Sequence, residues 1–146
     1  MSDTYDSLKL ENQLCFPLYA ASREVIKHYR PLLDELCLTY TQYITMMVLW
    51  EEKKCSVKAL GEKLHLDSGT LTPVLKSLEH KGFLKRYRSA EDERVLIAEI
   101  TDSGEALKES AASVPAQMAS CVRLTTEEAK VLHGLLYKLL SSEDDK

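Results

Sequence analysis

The stretch of sequence that decides the fold is residues 56–100, SVKALGEKLHLDSGTLTPVLKSLEHKGFLKRYRSAEDERVLIAEI. In its first half, apolar residues recur at helical spacing and predict two helices, the second of which begins after the cap residue Asp67. After Gly82, a residue typical of a left-handed helix end, the period changes to that of β-strands. Two β-rich runs, 83–88 and 95–100, enclose a charged loop and therefore predict a hairpin.

Helical periodicity also precedes this stretch. A long first helix is predicted to begin at Asn12 or just before it and to end or break at Pro31, because proline lacks the amide that a helix interior needs. A short helix over residues 31–36 follows. Thr39 or Thr41 then caps a third helix that runs through the aromatic and methionine residues before the stretch.

Two further helices are predicted after the hairpin. One restarts at residues 101–104 and continues past Pro115 with a kink. The last is capped by Thr125 or Thr126. Its apolar residues recur on one face and form a strong stripe: Leu132, Leu135, Leu136, Leu139 and Leu140.

The order of elements predicts a mainly α fold, a winged helix-turn-helix with a small β-hairpin wing and with N- and C-terminal dimerisation helices. The apolar stripes of the first and last helices exceed what a small winged domain can cover, so we expect them to meet in a two-fold homodimer. The predicted organisation is a single domain over 1–146, with dimerisation helices at 8–37 and 102–143 and the winged helix-turn-helix at 38–101, comprising the helix-turn-helix 56–80 and the wing 83–100.

Length and composition exclude several classes of protein. A chain of 146 residues suits one domain of ordinary size, and no apolar run reaches the roughly 18 residues that span a bilayer. The N-terminus is acidic and polar, unlike a secretory signal, which predicts a soluble cytoplasmic protein without a membrane partner. The net charge is −4, yet residues 53–94 carry ten basic against six acidic residues, a weak indication of an anion-binding centre.

The four cysteines stand at positions 15, 37, 55 and 121. In a reducing compartment they are expected to be free thiols rather than a disulfide framework. No CxxC pair is present and the histidines are scattered, so we expect neither a structural zinc site nor another metal or cofactor.

The second helix of a helix-turn-helix enters the major groove of double-stranded DNA. In the predicted recognition helix, four polar residues remain outside the apolar side: Ser68, Thr70, Thr72 and Lys76. Short hydroxyls let a helix lie close to DNA, where they donate to phosphates or contact a thymine methyl. Taken alone, the same residues are also consistent with a solvated first turn.

The hairpin supplies further cations, because Arg86 and Arg88 lie on its first strand and Arg94 lies at its tip. Asp92 is two residues before Arg94 and is placed to accept from its guanidinium, which would fix the direction of that side chain. A fixed arginine at a protruding tip suits the narrow minor groove of A·T-rich DNA. The alternative is an ordinary exposed ion pair of little energetic value.

Two longer motifs carry a family resemblance. The runs DSGTLTPVLK at 67–76 and RYRSAEDER at 86–94 resemble the MarR family of winged-helix transcription factors. ENQLCF at 11–16, with LYA at 18–20 and YRPLL at 29–33, is similar to its organic-hydroperoxide-sensing OhrR branch. The resemblance covers residues 8–142. It implies a homodimeric repressor that binds a palindromic operator. The repressor releases this operator when one cysteine near the start of the first helix is oxidised.

The resemblance places this chemistry on Cys15. In the branch, two tyrosines of the other subunit bond the reactive sulfur; by position these are Tyr29 and Tyr40, with Tyr19 nearby on the first helix. The chain departs from the familiar pattern at Pro17, which removes an amide two residues after Cys15 and is expected to bend the helix there.

The residues themselves support the same role for Cys15. The positive end of a helix dipole favours a thiolate, the form that attacks a peroxide and becomes a sulfenic acid. Apolar neighbours such as Phe16 favour organic peroxides over hydrogen peroxide. The alternative is that Cys15 is a small buried hydrophobe, the commonest state of a free cysteine.

A sulfenic acid on Cys15 has three outcomes: it remains, joins a small thiol, or condenses with a second cysteine. Cys37 and Cys55 are expected in or beside the core and are assigned no role. Cys121 is expected late in the long helix before the last one. Because two-cysteine members of the branch keep a resolving cysteine late in the chain, the resemblance implies an intersubunit Cys15–Cys121 disulfide.

Two other functions compete with a peroxide-responsive repressor. One is a MarR-type regulator that responds to a small aromatic ligand bound between the dimerisation and winged parts. The other is a thiol peroxidase that turns over peroxide at Cys15. The sequence has no Arg/Thr arrangement of the kind such an enzyme uses near the thiol, and the winged-helix motif would then have no purpose, so we do not expect an enzyme.

Overall fold

The computed structural model describes residues 4–141. Two short 3-10 helices, Asp6–Leu8 and Leu10–Asn12, precede the first α-helix. The remaining elements are α1 (Cys15–Asp34), α2 (Tyr40–Glu52), β1 (Lys54–Ser56), α3 (Val57–Leu64), α4 (Ser68–His80), β2 (Leu84–Arg88), β3 (Leu96–Ile100), α5 (Asp102–Ala111), α6 (Val114–Ala119) and α7 (Thr126–Ser141). The predicted mainly helical winged fold is confirmed. None of the helices among the described residues is both long and apolar enough to cross a membrane.

The chain forms two compact units, one up to residue 114 and one from residue 115 onwards. The sequence predicts a single domain whose C-terminal dimerisation region ends at residue 143; residues 142 and 143 lie outside the described part. The hydrophobic core of the first unit is built mainly from leucines of the helix-turn-helix and from the helix before it. Its fully buried side chains include Leu33, Met46, Leu49, Leu60, Leu71, Leu75, Leu78 and Leu84.

Helix α2 lies at the centre of this core. Thr39 caps it with a reciprocal pair of hydrogen bonds to Gln42, one of the two caps that the sequence predicts. Buried residues lie on more than one side of α2. Trp50 near its end donates through Nε1 to the Gly104 carbonyl at 2.8 Å. A helix buried on this scale fixes the positions of the elements around it.

The sheet has three antiparallel strands in the order β1-β3-β2. Strands β2 and β3 are the predicted hairpin, in a register that pairs Arg86 with Ala98. Strand β1 is missing from the sequence prediction. It is only three residues long and pairs Cys55 with Ala98, so its identity depends on a partner more than forty residues away rather than on its own pattern.

The turn of the helix-turn-helix is compact. Asp67 caps α4 through its side chain, as the sequence predicts, and Ser56 caps α3 in the same way. Between the helices, His65 adopts a left-handed conformation with φ of 54°. At the end of α4, Gly82 (φ 83°) closes a Schellman motif, since its amide donates to the Glu79 carbonyl and the next amide, of Phe83, donates to Leu78.

The structure corrects two helix ends. Helix α1 continues through Pro31 to Asp34 instead of ending at the proline, and no separate helix over 31–36 follows. Pro31 is exposed and lies near the end of the helix, while Leu33 just beyond it is buried in the core, so packing holds the last turn in place. At the other end, Asn12 is not the cap of α1; it ends a 3-10 helix, and Leu14 stands at the cap position without a side-chain bond.

The helix predicted to pass Pro115 with a kink is in fact two helices. Helix α5 ends at Ala111 and α6 begins at Val114. Pro115 has no amide to donate to the carbonyl four residues before it, which is that of Ala111, so the hydrogen-bond ladder stops there.

In the second unit, α7 begins as predicted. Thr125 and Glu128 form a capping box, with Glu128 N–H donating to Thr125 Oγ1 at 3.1 Å and the Thr125 amide donating back at 2.9 Å. No described residue of α7 is buried. Its exposed apolar residues include Val131, Leu132, Leu135, Leu139 and Leu140. A face of this kind in a water-exposed helix indicates an interface.

Among the glycines of the first unit, Gly104 lies closest to the backbone of another segment. A Cβ on Gly104 would lie 2.2 Å from the Phe83 carbonyl oxygen, so only glycine fits at this position in α5. We expect Gly104→Ala to lower the free energy of unfolding by about 1–3 kcal/mol, because backbone has to move. Gly69→Ala is the matched control, since its Cβ would meet only the Asp67 carboxylate, at 3.4 Å. Urea denaturation at one protein concentration compares them; equal stability of the two variants would contradict the close approach.

Candidate nucleic-acid interface and thiol sensor

Helix α4 presents its N-terminal turn to solvent. Asp67 Oδ1 accepts from the Thr70 amide at 2.7 Å, and this bond holds the pKa of Asp67 below its ordinary value. Ser68, Thr70 and Lys76 are exposed, as expected for side chains that reach a ligand. Thr72 is half-buried and its hydroxyl donates to the Ser68 carbonyl at 2.7 Å, so that hydroxyl proton is already used within the helix.

Arg94 and Asp92 form a fork at the tip of the wing. Arg94 donates from Nε to Asp92 Oδ1 at 3.1 Å, from Nη2 to Oδ2 at 3.2 Å, and from its backbone amide to Oδ1 at 3.0 Å. These bonds lower the pKa of Asp92, so the pair stays ionised near neutrality. The Arg94 side chain nevertheless remains 90% exposed. The guanidinium is thus held in one orientation while its outer edge stays accessible.

Arg86 is placed differently from the other wing cations. Its side chain is only 19% exposed and donates from Nε and Nη2 to the two carboxylate oxygens of Glu79, at 3.4 and 3.2 Å. The Arg86 amide donates to the same carboxylate at 3.0 Å. Arg86 therefore ties the wing to α4 instead of projecting from it, whereas Arg88, at the end of β2, is exposed. Sequence reasoning missed Glu79 because only the fold brings it to the wing.

Cys15 is the first residue of α1, and it is exposed. Its thiol therefore lies at the end of the helix where the amides carry the positive end of the dipole. Pro17 occupies the third position of α1, where an amide has no intrahelical acceptor. Helix α1 continues unbroken from Cys15 past Pro17, and the proline there removes no internal hydrogen bond.

Tyr29 and Tyr40 lie together, with ring centroids 4.9 Å apart. A third ring, that of Tyr43, lies 5.8 Å from Tyr29 and 6.3 Å from Tyr40. Burial, together with the neighbouring Tyr43, raises the pKa of Tyr29, so its hydroxyl stays a donor. Tyr43 is absent from the predicted sensor residues; it is buried one turn after Tyr40, and its helical spacing from that residue is the signal that identifies it.

Tyr19 does not join this cluster. It is exposed on α1, where Arg23 lies over its ring at 5.6 Å and donates to its hydroxyl at 3.2 Å. The structure thus groups two of the three predicted tyrosines with each other and pairs the third with a cation on its own helix.

The other three cysteines occupy different environments. Cys121 is exposed in the turn after α6, where its thiol donates to the Gln117 carbonyl at 3.6 Å, so its predicted place late in a long helix is wrong. The reason is the helix break at Pro115, which leaves only a short helix before it. Cys37 is exposed in the loop after α1, and Cys55 is half-buried on β1, where burial raises the pKa of its thiol. Among the described residues, no group of three or more His, Cys, Asp or Glu side chains could hold a metal ion.

Comparisons with known proteins agree with this geometry. The family model "Transcriptional regulator SarA/Rot" matches residues 27–111. An organic hydroperoxide resistance transcriptional regulator of Bacillus subtilis (strain 168) is 47% identical over 146 residues, which is 100% of this chain and 99% of that protein. This chain belongs to the MarR-type winged-helix transcriptional regulators, in their organic-hydroperoxide branch.

Two solved structures of AbfR, a protein of Staphylococcus epidermidis, are similar to this MarR-type regulator. Reduced AbfR bound to DNA is 36% identical and has a TM-score of 0.76, with 97% of this chain and 99% of that chain covered. Disulfide-formed AbfR is 38% identical and has a TM-score of 0.62, with 97% of this chain and 96% of that chain covered.

The Arg86–Glu79 pair makes a pH-dependent contribution to stability. Arg86 lowers the pKa of Glu79 in the folded protein, so the stabilisation is present above the unfolded carboxyl's pKa and is lost as the pH falls through the lower folded value. We expect the stability difference between wild type and Glu79→Gln to be constant at neutral pH and to shrink below about pH 4.5. Urea denaturation between pH 3 and 7 measures it.

The control is Glu109→Gln, which changes an exposed carboxylate of α5 for which the described residues show no ion pair. Its stability difference from wild type should vary much less over the same range. A Glu79→Gln difference that does not change with pH would mean that the pair contributes nothing.

Proposed function

We propose that this protein is a homodimeric repressor that binds a palindromic operator and releases it when an organic hydroperoxide oxidises Cys15. The observation that carries the proposal is the exposed thiol of Cys15 at the N-terminus of α1, in a chain 47% identical to an organic hydroperoxide resistance regulator. The protein acts in the cytoplasm, where thiols are kept reduced until a peroxide arrives. Each Cys15 reacts with one peroxide per release, so the protein acts as a sensor and not as an enzyme.

Each half of the dimer supplies one DNA-binding surface. Helix α4 enters the major groove, where Ser68, Thr70 and Lys76 reach base edges or phosphates. Thr72 acts at closer range, where its hydroxyl oxygen accepts a hydrogen bond from a base edge. The wing follows the neighbouring backbone with Arg88 and inserts Arg94, held by Asp92, into the minor groove. Arg86 acts within the protein, because its guanidinium is occupied by Glu79.

Exposed apolar side chains on two helices support the homodimer. On α1 they include Phe16 and Leu18, and on α7 they form the stripe from Val131 to Leu140. Burying these faces between two copies removes apolar surface from water at about 25 cal/mol per Å². A two-fold dimer also places two recognition helices roughly 34 Å apart, the spacing of successive major grooves on one side of B-DNA.

The sensing reaction starts from the Cys15 thiolate. It attacks the terminal oxygen of the hydroperoxide and the O–O bond breaks. The transferred OH makes Cys15 a sulfenic acid, and the departing alkoxide takes a proton from water and becomes an alcohol. Tyr29 and Tyr40 of the partner subunit donate hydrogen bonds to the reacting sulfur. The Cys121 thiol of the partner subunit then attacks the sulfenic sulfur, water leaves, and an intersubunit disulfide remains.

The two AbfR structures support a conformational step at the disulfide stage. At nearly the same identity, this chain matches the reduced, DNA-bound form with a TM-score of 0.76 and the disulfide form with 0.62. The disulfide therefore accompanies a different arrangement of the backbone in that relative. A disulfide requires Cα atoms within about 7 Å, so a similar bond here would pull α1 toward the partner's Cys121 and change the spacing of the recognition helices.

The cysteine switch is tested by operator binding before and after cumene hydroperoxide, with non-reducing electrophoresis in parallel. We expect wild type to lose the operator and to form a covalent dimer that dithiothreitol reverses. Cys15→Ser should keep the operator and form no covalent dimer. Cys121→Ser should form none either, while its Cys15 still reaches the sulfenic acid.

Cys37→Ser is the matched control, since it removes another exposed thiol and should behave as wild type. Peroxide-induced release that persists in Cys15→Ser would contradict the proposed function. Reversible release by Cys121→Ser, without a covalent dimer in wild type, would instead make this a one-cysteine sensor.

The two arginines of the wing give a paired test of the DNA interface. We expect Arg94→Ala to weaken operator binding by about 1–3 kcal/mol and to lower the slope of log K against log salt by about 1, because a DNA contact is lost. Arg86→Ala should lower the free energy of unfolding and leave the salt slope unchanged. Fluorescence anisotropy over a series of salt concentrations measures both; equal slopes for Arg94→Ala and wild type would remove the tip from the interface.

A further inference from the structure

Gln42 is a buried side-chain amide in the first turn of α2, with 7% of its surface exposed. Its oxygen Oε1 accepts from the Thr39 amide at 3.1 Å and from Lys81 Nζ at 2.9 Å. Its nitrogen Nε2 donates to Ser77 Oγ at 2.9 Å. Burying an amide is costly unless its polar atoms are bonded, so these three bonds define a fixed arrangement of the groups that make them.

The partners of Gln42 belong to two separate elements. Thr39 is the N-cap of α2, and its hydroxyl accepts from the backbone amide of Gln42 at 3.3 Å, which completes the capping box. Ser77 and Lys81 belong to the last turn and the C-cap of α4. One side chain therefore joins the beginning of α2 to the end of the recognition helix.

The same turn of α2 carries a sensor tyrosine. Tyr40 is its first residue, directly after the Thr39 cap, and its ring lies 4.9 Å from that of Tyr29. Lys81 also donates to the carbonyl of Cys37, in the loop that leads to this cap. Any movement of the Tyr40 backbone must therefore displace the cap, and with it the oxygen that Lys81 holds.

We infer that Gln42 is a positioning residue that transmits the state of the thiol sensor to the recognition helix, an inference that rests on the proposed function. In the reduced protein its bonds to Thr39, Ser77 and Lys81 hold α4 in the orientation that binds DNA. When oxidation of Cys15 shifts Tyr40, the first turn of α2 carries Gln42 with it and the end of α4 follows.

Thr45 provides a matched comparison on the same helix. It is buried, as Gln42 is, but its hydroxyl donates to the Thr41 carbonyl at 2.7 Å, within α2 itself. Removing that hydroxyl alters a buried polar group of α2 without affecting a bond to α4. A residue that only stabilises α2 is thus distinguished from one that connects two helices.

The experiment measures the ratio of operator dissociation constants after and before cumene hydroperoxide. We expect a ratio of about tenfold or more for wild type. Gln42→Met has a side chain of similar size that cannot make the three bonds, and it should lower this ratio at least about threefold. The rate of Cys15 sulfenic acid formation, followed by dimedone labelling, should stay as in wild type. Gln42→Glu should restore the ratio, because its carboxylate accepts from Thr39, Lys81 and the Ser77 hydroxyl. Thr45→Val should keep the wild-type ratio.

Ser77→Ala keeps the test decisive if Gln42→Met does not fold, because it removes one of the two bonds between Gln42 and the end of α4 and leaves the capping box intact. Its ratio should fall in the same direction. A wild-type ratio in both Ser77→Ala and any folded Gln42→Met, or an equal loss in Thr45→Val, overturns the inference. A wild-type protein that keeps its operator after peroxide overturns the proposed function and this inference with it.

Discussion

The burial of α2 is the constraint on which the rest of the structure depends. Tyr43, Met46 and Leu49 each have less than a twentieth of their surface exposed, so the body of the helix, beyond its first turn, cannot shift without opening the core. Its first turn holds the α1–α2 loop and the end of α4 through Gln42 and Lys81, and its last holds α5 through Trp50. The tyrosine cluster and α4 are consequently both attached to this one helix.

Two ion pairs of the wing have different roles. Glu79 and Arg86 are partly withdrawn from water and fix the hairpin against α4, so the wing and the recognition helix present one surface. Asp92 and Arg94 have the same kind of charge-assisted geometry, but at the tip, where the arginine stays almost fully exposed. The same pairing therefore serves rigidity in one place and presentation of a cation in the other.

Cys15 is exposed although it belongs to a regular helix, because it is the first residue of α1. An exposed thiol can meet a peroxide, and this one lies at the helix end where the free amides carry the positive end of the dipole. The tyrosine cluster at Tyr29, Tyr40 and Tyr43 supplies donors whose protons are retained because burial disfavours the phenolates of Tyr29 and Tyr43. In the proposed switch, these donors link a change at the Cys15 sulfur to the helix that carries Gln42.

Local pattern alone determined most of the secondary structure, because caps such as Thr39, Asp67 and Thr125 and the hairpin of 83–100 depend on neighbouring residues. It also predicted the Asp92–Arg94 fork, whose two residues are close in sequence, whereas Cys15 was singled out by the resemblance to the OhrR branch together with its place near the start of the first helix. The tertiary structure decided what depends on distant partners: strand β1, the continuation of α1 through Pro31, the engagement of Arg86 by Glu79, and the bonds of Gln42 to α4. Each of these is stabilised by contacts between elements, and the energy of such contacts is absent from any local pattern.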